Sequence, residues 1–297
     1  PSMIHPVLSL TRIQRKLGRL SHKLLQTPGE LARLERCDSP RLQAVARAIR
    51  QVQRHDFSKA EQDWLNRLAD RRATLSASTE RIQVTDYGAG DQFNLYAEDA
   101  TETDRTIERV VGSVCRGGSK SARWAELLFA LIRQLKPATC IEFGTSLGLS
   151  ALYQMAALEL NGEGSFITLE GAPALATIAR QGFESLKLAH RGEVLVGPFE
   201  QTLPALLARN LRIDYVFNDG VHEESAEWGI HRALLPYFAP DTTLVFDDIA
   251  WSPSMERFWQ GITHDPGIAA TIDHLALGVC LISPTITGHP YFRIAID

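Results

Sequence analysis

Residues 140–150 read Cys-Ile-Glu-Phe-Gly-Thr-Ser-Leu-Gly-Leu-Ser, an apolar run that breaks at Gly144 and turns helical after Gly148. A glycine at each end of a strand-to-helix turn lets the backbone come close to a ligand, and the first N–H groups of the helix then face it. Taken alone the turn is a weak signal. Tight packing would also produce it, and the G-x-G-x-x-G spacing of dinucleotide binders is missing. Glu142 sharpens it, because a carboxylate inside a buried strand needs a partner. An amine donor on a ligand is one candidate.

Outward from this turn the chain alternates. Trp124–Leu135 reads as a helix, and strands are expected at Thr139–Phe143, Ser165–Leu169, Glu193–Val196, Ile213–Phe217 and Thr243–Phe246. Helical patterns fill the gaps, starting near Ser150, Pro173, Leu203 and Ala226. Strands alternating with helices mean a parallel sheet covered on both faces. The end is different. Ala270–Ile282 and Tyr291–Ile296 read as two strands with only a short Pro/Gly loop between them, and a parallel crossover needs a dozen residues or more, so they should run antiparallel.

Ahead of this alternation, Leu10, Ile13, Leu17, Leu20 and Leu24 recur at helical spacing, as do Leu42, Val45, Ile49 and Val52. Ser58 with Glu61 predicts the N-terminus of a further helix carrying Trp64, Leu65, Leu68 and Leu75. These stripes must bury against the body or against a second subunit. Residues 80–118 are polar and Gly-containing, with Tyr87-Gly88-Ala89-Gly90 at the centre, and read as a functional loop or lid. The expected units are therefore a helical extension over 1–79 for dimerisation or cover, a loop or lid over 80–118, and a ligand-binding domain over 119–297.

The net charge of −4 divides unevenly: residues 1–55 carry +8 and the remainder −12. A basic arm could meet nucleic acid, but it holds no aromatic residue on which a base could stack, so no nucleic-acid partner is expected. No run approaches the ~18 apolar residues of a membrane helix, which argues against stable membrane insertion. The four cysteines, Cys37, Cys115, Cys140 and Cys280, form no C-x-x-C pair and fit free thiols in a reducing cytoplasm.

The second strand closes in Phe166-Ile-Thr-Leu-Glu170-Gly. An acidic residue there accepts hydrogen bonds from ribose hydroxyls in nucleotide-binding α/β folds, though Glu170 could equally serve as a helix N-terminal charge ahead of Pro173. The fourth strand ends in Asn218-Asp219-Gly220-Val221-His222 and the fifth in Asp247-Asp248, both at the carboxyl edge of the sheet, where ligands bind in open α/β folds. Three carboxylates brought together repel unless something positive lies between them. A hard divalent cation would serve; capping and solvation of Asp248 and Asp247 is the plainer alternative. His222, three residues past Asp219, can take a proton near neutrality. Trp251 and Tyr87 are candidate walls for an aromatic or sugar-like substrate, or equally core residues.

The segment from Glu142 to Ser150 resembles motif I of the class I S-adenosylmethionine (SAM)-dependent O-methyltransferases of the catechol, caffeoyl-CoA and macrocin type. The resemblance covers about 122–297. It implies an α/β, Rossmann-like doubly wound sheet of five parallel strands plus a C-terminal antiparallel hairpin, here with an α-helical N-terminal extension. It also implies that Glu142, Gly144 and Ser150 bind the methionine end of SAM and that Glu170 binds the ribose, with Thr145 and Gly148 of the same turn also binding the cofactor. Phe199 and Glu200, in Val196–Gln201, fall where such enzymes contact adenine. Asp219, Asp247 and Asp248 map onto their metal ligands, with Asp248 replacing an Asn, so magnesium, manganese or calcium is implied. Asp219 would also face the cofactor, and His222 stands where the catechol enzymes carry a general-base lysine. The expectation is a cytoplasmic, homodimeric, SAM- and divalent-metal-dependent O-methyltransferase acting on a hydroxyl of a small molecule. The alternatives are a metal-independent N- or C-methyltransferase, or a non-catalytic module that binds a partner protein through its helical arm.

Overall fold

The computed structural model describes residues 27–86 and 105–296. The stripe from Leu10 to Leu24 and the Tyr87–Gly90 centre lie outside these. Three helices come first: α1 (Thr27–Glu35), α2 (Pro40–Arg54) and α3 (Lys59–Ala77). Ser39 caps α2 by accepting from the Leu42 N–H, Pro40 occupies the first turn, and His55 ends the helix in the left-handed region at φ 52°. At the start of α3, Ser58 and Glu61 form the expected capping box. Leu42, Val45, Ile49 and Val52 are all buried, in one core cluster with Leu127, Leu128, Leu131 and Ile132. The stripe of α2 thus packs on the protein's own body rather than waiting for another chain.

Residues 81–86 and 105–110, inside the segment read as a loop, are strands β1 (Arg81–Asp86) and β2 (Arg105–Val110), paired antiparallel. Helix α4 (Val111–Gly118) follows, then α5 (Ala122–Leu135), on which α2 packs.

The main sheet is built from β3 (Thr139–Phe143), β4 (Ser165–Glu170), β5 (Gly192–Val196), β6 (Ile213–Asn218), β7 (Phe238–Phe246), β8 (Ala270–Asp273), β9 (Gly278–Ile282) and β10 (Tyr291–Arg293). Their spatial order is β10-β8-β9-β7-β6-β3-β4-β5. The pairs β3–β4, β3–β6, β4–β5 and β6–β7 are parallel, which is the expected set of five. Helices α6 (Leu149–Asn161), α7 (Pro173–Ser185), α8 (Phe199–Leu207), α9 (Glu224–Leu234) and α10 (Pro253–Ile262) make the connections. Strand order reverses beside β3, so the ends of β3 and β6 splay and open a crevice there.

The C-terminal antiparallel hairpin is present, but its strands divide differently from the expected pair. Ala270–Ile282 is not one strand: it turns at His274–Leu277, with Leu275 at φ 72°, and β8 pairs antiparallel with β9. β9 in turn pairs antiparallel with β7. β10 runs opposite to β9, as the short connection demands, yet it bonds to the far side of β8 and parallel to it. The segment 283–290 is long enough to pass the end of β8, and the free edge there offers β10 its hydrogen bonds.

Candidate active site

The Gly144–Gly148 turn leaves β3 at the splayed edge. Gly144 sits at φ 87°, and a Cβ on it would collide with the backbone of Asp219. Its N–H donates to the Leu169 carbonyl at 3.0 Å, and the Asp219 N–H donates to that of Phe143 at 2.9 Å. The ends of β3, β4 and β6 are thereby tied together around a turn that only glycine can start. Gly148, at φ 76°, caps α6 where Ala179 of α7 comes close. Ser146 stands in the left-handed region at φ 49°. Its N–H donates to Glu170 Oε2 at 2.7 Å, while the Ala172 N–H donates to Oε1 at 2.8 Å. Glu170 is therefore the clamp of the turn as well as the acid at the end of β4. Burial raises its carboxyl above the usual range, against the backbone amides of Ala172, Ser146 and Gly171.

Gly144, Thr145, Ser146 and Ser150 line a cavity with Asp219 and Lys120. Glu142 lies beneath rather than in this lining. It is fully buried, accepting from Thr168 Oγ1 at 2.6 Å and Gln154 Nε2 at 3.1 Å. Thr168 also meets Thr145 Oγ1 at 2.5 Å, so the carboxylate reaches the cavity wall through a hydroxyl pair. Burial pushes the Glu142 carboxyl up to about 8. Gln154 Oε1 is buried without a partner, and turning that amide over gives a protonated Glu142 an acceptor.

A pH effect follows. The folded protein holds a proton on Glu142 that the unfolded chain releases near its ordinary pKa of about 4.3, so stability falls as pH rises from there through about 8. Glu142→Gln should remove that part of the loss. Its urea midpoint should drop less than the wild type's between about pH 6 and about pH 8.5. Glu227, also raised by burial, is common to both proteins, whereas Asp219 adds its charge to the rise of Glu142, so the comparison reads Glu142 together with its coupling to Asp219. Parallel profiles would show that the carboxyl is ionised in both states.

Phe199, at the start of α8, stands edge-on to Phe143 with ring centroids 5.4 Å apart and closes over Gly220. Glu200, its neighbour in the first turn, is exposed. At the other side of the crevice His222 Nε2 lies 3.8 Å from Asp219 Oδ1 and 3.7 Å from Asp248 Oδ2. Trp251 flanks the imidazole, ring centroids 5.5 Å apart, and is one of the few large apolar side chains left exposed. Burial holds His222 below its ordinary pKa, Asp248 opposing and Lys120 adding to the effect, so the imidazole is neutral at physiological pH. Asp248 takes the left-handed conformation at φ 51°. Asn218, at the end of β6, donates through Nδ2 to the buried Glu227 of α9 at 2.5 Å.

Lys120 is the residue that sequence reasoning missed. Its ammonium touches Asp247 Oδ2 and lies 3.4 Å from Asp219 Oδ1, with the lysine side chain only 14% exposed. It stands in the short link between α4 and α5, in Gly117-Gly118-Ser119-Lys120, with no local pattern to mark it. The one available signal was the need of three carboxylates for a positive neighbour. The divalent ion implied by the resemblance does not fit this arrangement. Lys120 occupies the gap between two of its three carboxylates, and among the described residues no group of three or more His, Cys, Asp or Glu side chains is placed to hold a metal.

Residues 141–249 match the family model described as methyltransferase domain. This segment is a methyltransferase domain. It runs from β3 past the end of β7 and so contains every expected site residue. A stretch of 116 residues is 32% identical to a catechol O-methyltransferase of Mycobacterium tuberculosis, covering 38% of this chain. The chain spans about half, 51%, of the length of that curated relative. Among solved structures, an O-methyltransferase from Bacillus cereus in complex with S-adenosylhomocysteine (SAH) aligns with a TM-score of 0.50 at 19% identity. That likeness covers 56% of this chain and 84% of the other and concerns the fold. Among the described residues no helix is long and apolar enough to cross a membrane, and all four cysteines are free.

Proposed function

We propose that this protein transfers the methyl group of SAM to a hydroxyl oxygen of a small molecule. The observation that carries this is the single cavity bounded by Gly144, Thr145, Ser146 and Ser150 on one side and by Asp219 and Lys120 on the other. In this reading the turn and the α6 N-terminus receive the methionine end of SAM, Glu170 offers its remaining lone pairs to the ribose, and Phe199 covers the adenine. The acceptor enters beside Trp251. His222 takes the hydroxyl proton, the oxygen attacks the sulfonium methyl carbon in line, and the C–S electron pair leaves on sulfur. The products are a methyl ether and SAH, and the proton departs from the imidazole to solvent. Holding oxygen, carbon and sulfur collinear is the main task of such a site.

We infer a homodimer from the Leu10–Leu24 stripe, since the α2 stripe is covered within the chain. A cytoplasmic setting suits the free thiols. Calorimetry with SAM, SAH and NAD tests the cofactor assignment: we expect micromolar binding of SAM and SAH and none of NAD, and preference for NAD would end it. Methyl-labelled SAM incubated with catechol and sugar acceptors then reads the methylated atom, and label found only on nitrogen or carbon would refute O-transfer.

A further inference from the structure

We propose that Lys120 is the resident cation of this site and takes the place of the divalent metal implied by the resemblance to catechol-type enzymes. The inference deepens the methyl-transfer reading and rests on it. Three observations carry it. The ammonium lies against Asp219 and Asp247, two of the three carboxylates that a metal would have to share. Lys120 lines the same cavity as the Gly144 turn, so the charge is presented to the reacting centre rather than to solvent. The third carboxylate, Asp248, forms no ion pair with Lys120 and lies 3.7 Å from His222 Nε2, which also stands 3.8 Å from Asp219.

The physical reason is charge balance in a confined space. Two neighbouring carboxylates at a crevice repel and are costly to bury, and a cation between them relieves both penalties. A divalent ion does so with several oxygen ligands, whereas an ammonium does so with three N–H donors on a flexible stem. With both in the gap, lysine and metal would repel. Lys120 is ion-paired with Asp219 and Asp247, and an ammonium has three donors, so one more than these two carboxylates need could meet the oxygen of an acceptor. The site would then favour an acceptor whose oxygen gains negative charge as its proton leaves, with no need for the paired chelating hydroxyls a metal prefers.

The test is Mn²⁺ binding, followed by electron paramagnetic resonance of the free ion at about pH 8, in the full chain loaded with SAH. Wild type should bind Mn²⁺ at least ~10-fold more weakly than Lys120→Ala, a difference of about 1.4 kcal/mol. Adding Asp247→Asn to Lys120→Ala should abolish the gain, which locates the ion. The urea midpoint of Lys120→Ala should be low without Mn²⁺ and recover with it, while that of wild type stays put. If Lys120→Ala does not unfold cooperatively, Lys120→Met takes its place, keeping the stem without the charge.

Wild type that binds one Mn²⁺ as tightly as the variant would overturn the inference, and would show the lysine to be displaced by metal. Absence of binding in both proteins would overturn it as well, because Lys120 would then stand in for nothing. Failure of the methyl-transfer reading looks different: wild type would not bind SAH at all.

Discussion

Gly144→Ala should abolish measurable SAH binding and lower the urea midpoint more than any other single-methyl change in the turn. Two costs add. A non-glycine residue in the left-handed region costs roughly 1–2 kcal/mol, and Gly144 is held at φ 87°. The new methyl would also meet the Asp219 carbonyl, which cannot retreat freely because the Asp219 N–H is bonded to Phe143 at 2.9 Å. Relief requires β3 and β6 to part at their ends, where the proposed cofactor site lies. Gly162→Ala is the control. Gly162 has a similar φ of 77° but nothing within 4 Å of a new Cβ, so it carries the backbone cost without the collision. Calorimetry and urea unfolding of both variants separate the two effects. A Gly144→Ala protein that binds SAH like wild type would dismiss the turn as the cofactor site.

Glu170→Ala should weaken SAH binding by at least ~100-fold, or about 2.7 kcal/mol, and also destabilise the free protein. The carboxylate accepts from the Ser146 and Ala172 N–H groups at 2.7 and 2.8 Å. Removing it leaves two backbone donors in a buried place, each at a cost of ~1–3 kcal/mol. It also frees Ser146 from its left-handed conformation, so the turn loses its clamp together with the proposed ribose acceptor. Glu170→Gln keeps one acceptor oxygen and should lose about tenfold, near 1.4 kcal/mol. The two substitutions thus grade the same contact. Affinity of Glu170→Ala within threefold of wild type would show that the acid serves the fold alone.

The Lys120 arrangement and the Glu142 proton bear on one another. Asp219 links them, paired with Lys120 and adding its charge to the rise of Glu142, and burial pushes its own carboxyl up to about 7, with Lys120 opposing and Asp248 adding to the rise. The lysine is the only Lys or Arg ion-paired to Asp219 or Asp247 among the described residues. This is the condition under which adding or removing one positive charge has a large effect.

Much of this was legible in the order of residues. The run from Cys140 to Ser150 defined a strand, a glycine turn and a helix start, because positive φ at Gly144 and Gly148 is a local demand that local residues meet. The five parallel strands followed from apolar runs alternating with helical periods, and Ser58 with Glu61 announced α3 through a contact spanning three residues. The α2 stripe announced burial but not its partner, because periodicity states that a face is apolar and is silent on what covers it. Only tertiary structure showed that α5 does. The same limit hid the path of β10: the short connection dictated its direction, while the free edge of β8 decided its neighbour. Glu142 was legible as a buried acid, but Thr168 and Gln154, its partners, come from another strand and from a helix. Lys120 was the least visible of all. A residue in a Gly-Ser link carries no period, and its meaning comes from Asp219 and Asp247, roughly 100 residues away or more, through a Coulomb interaction that depends on distance in space and not on separation along the chain.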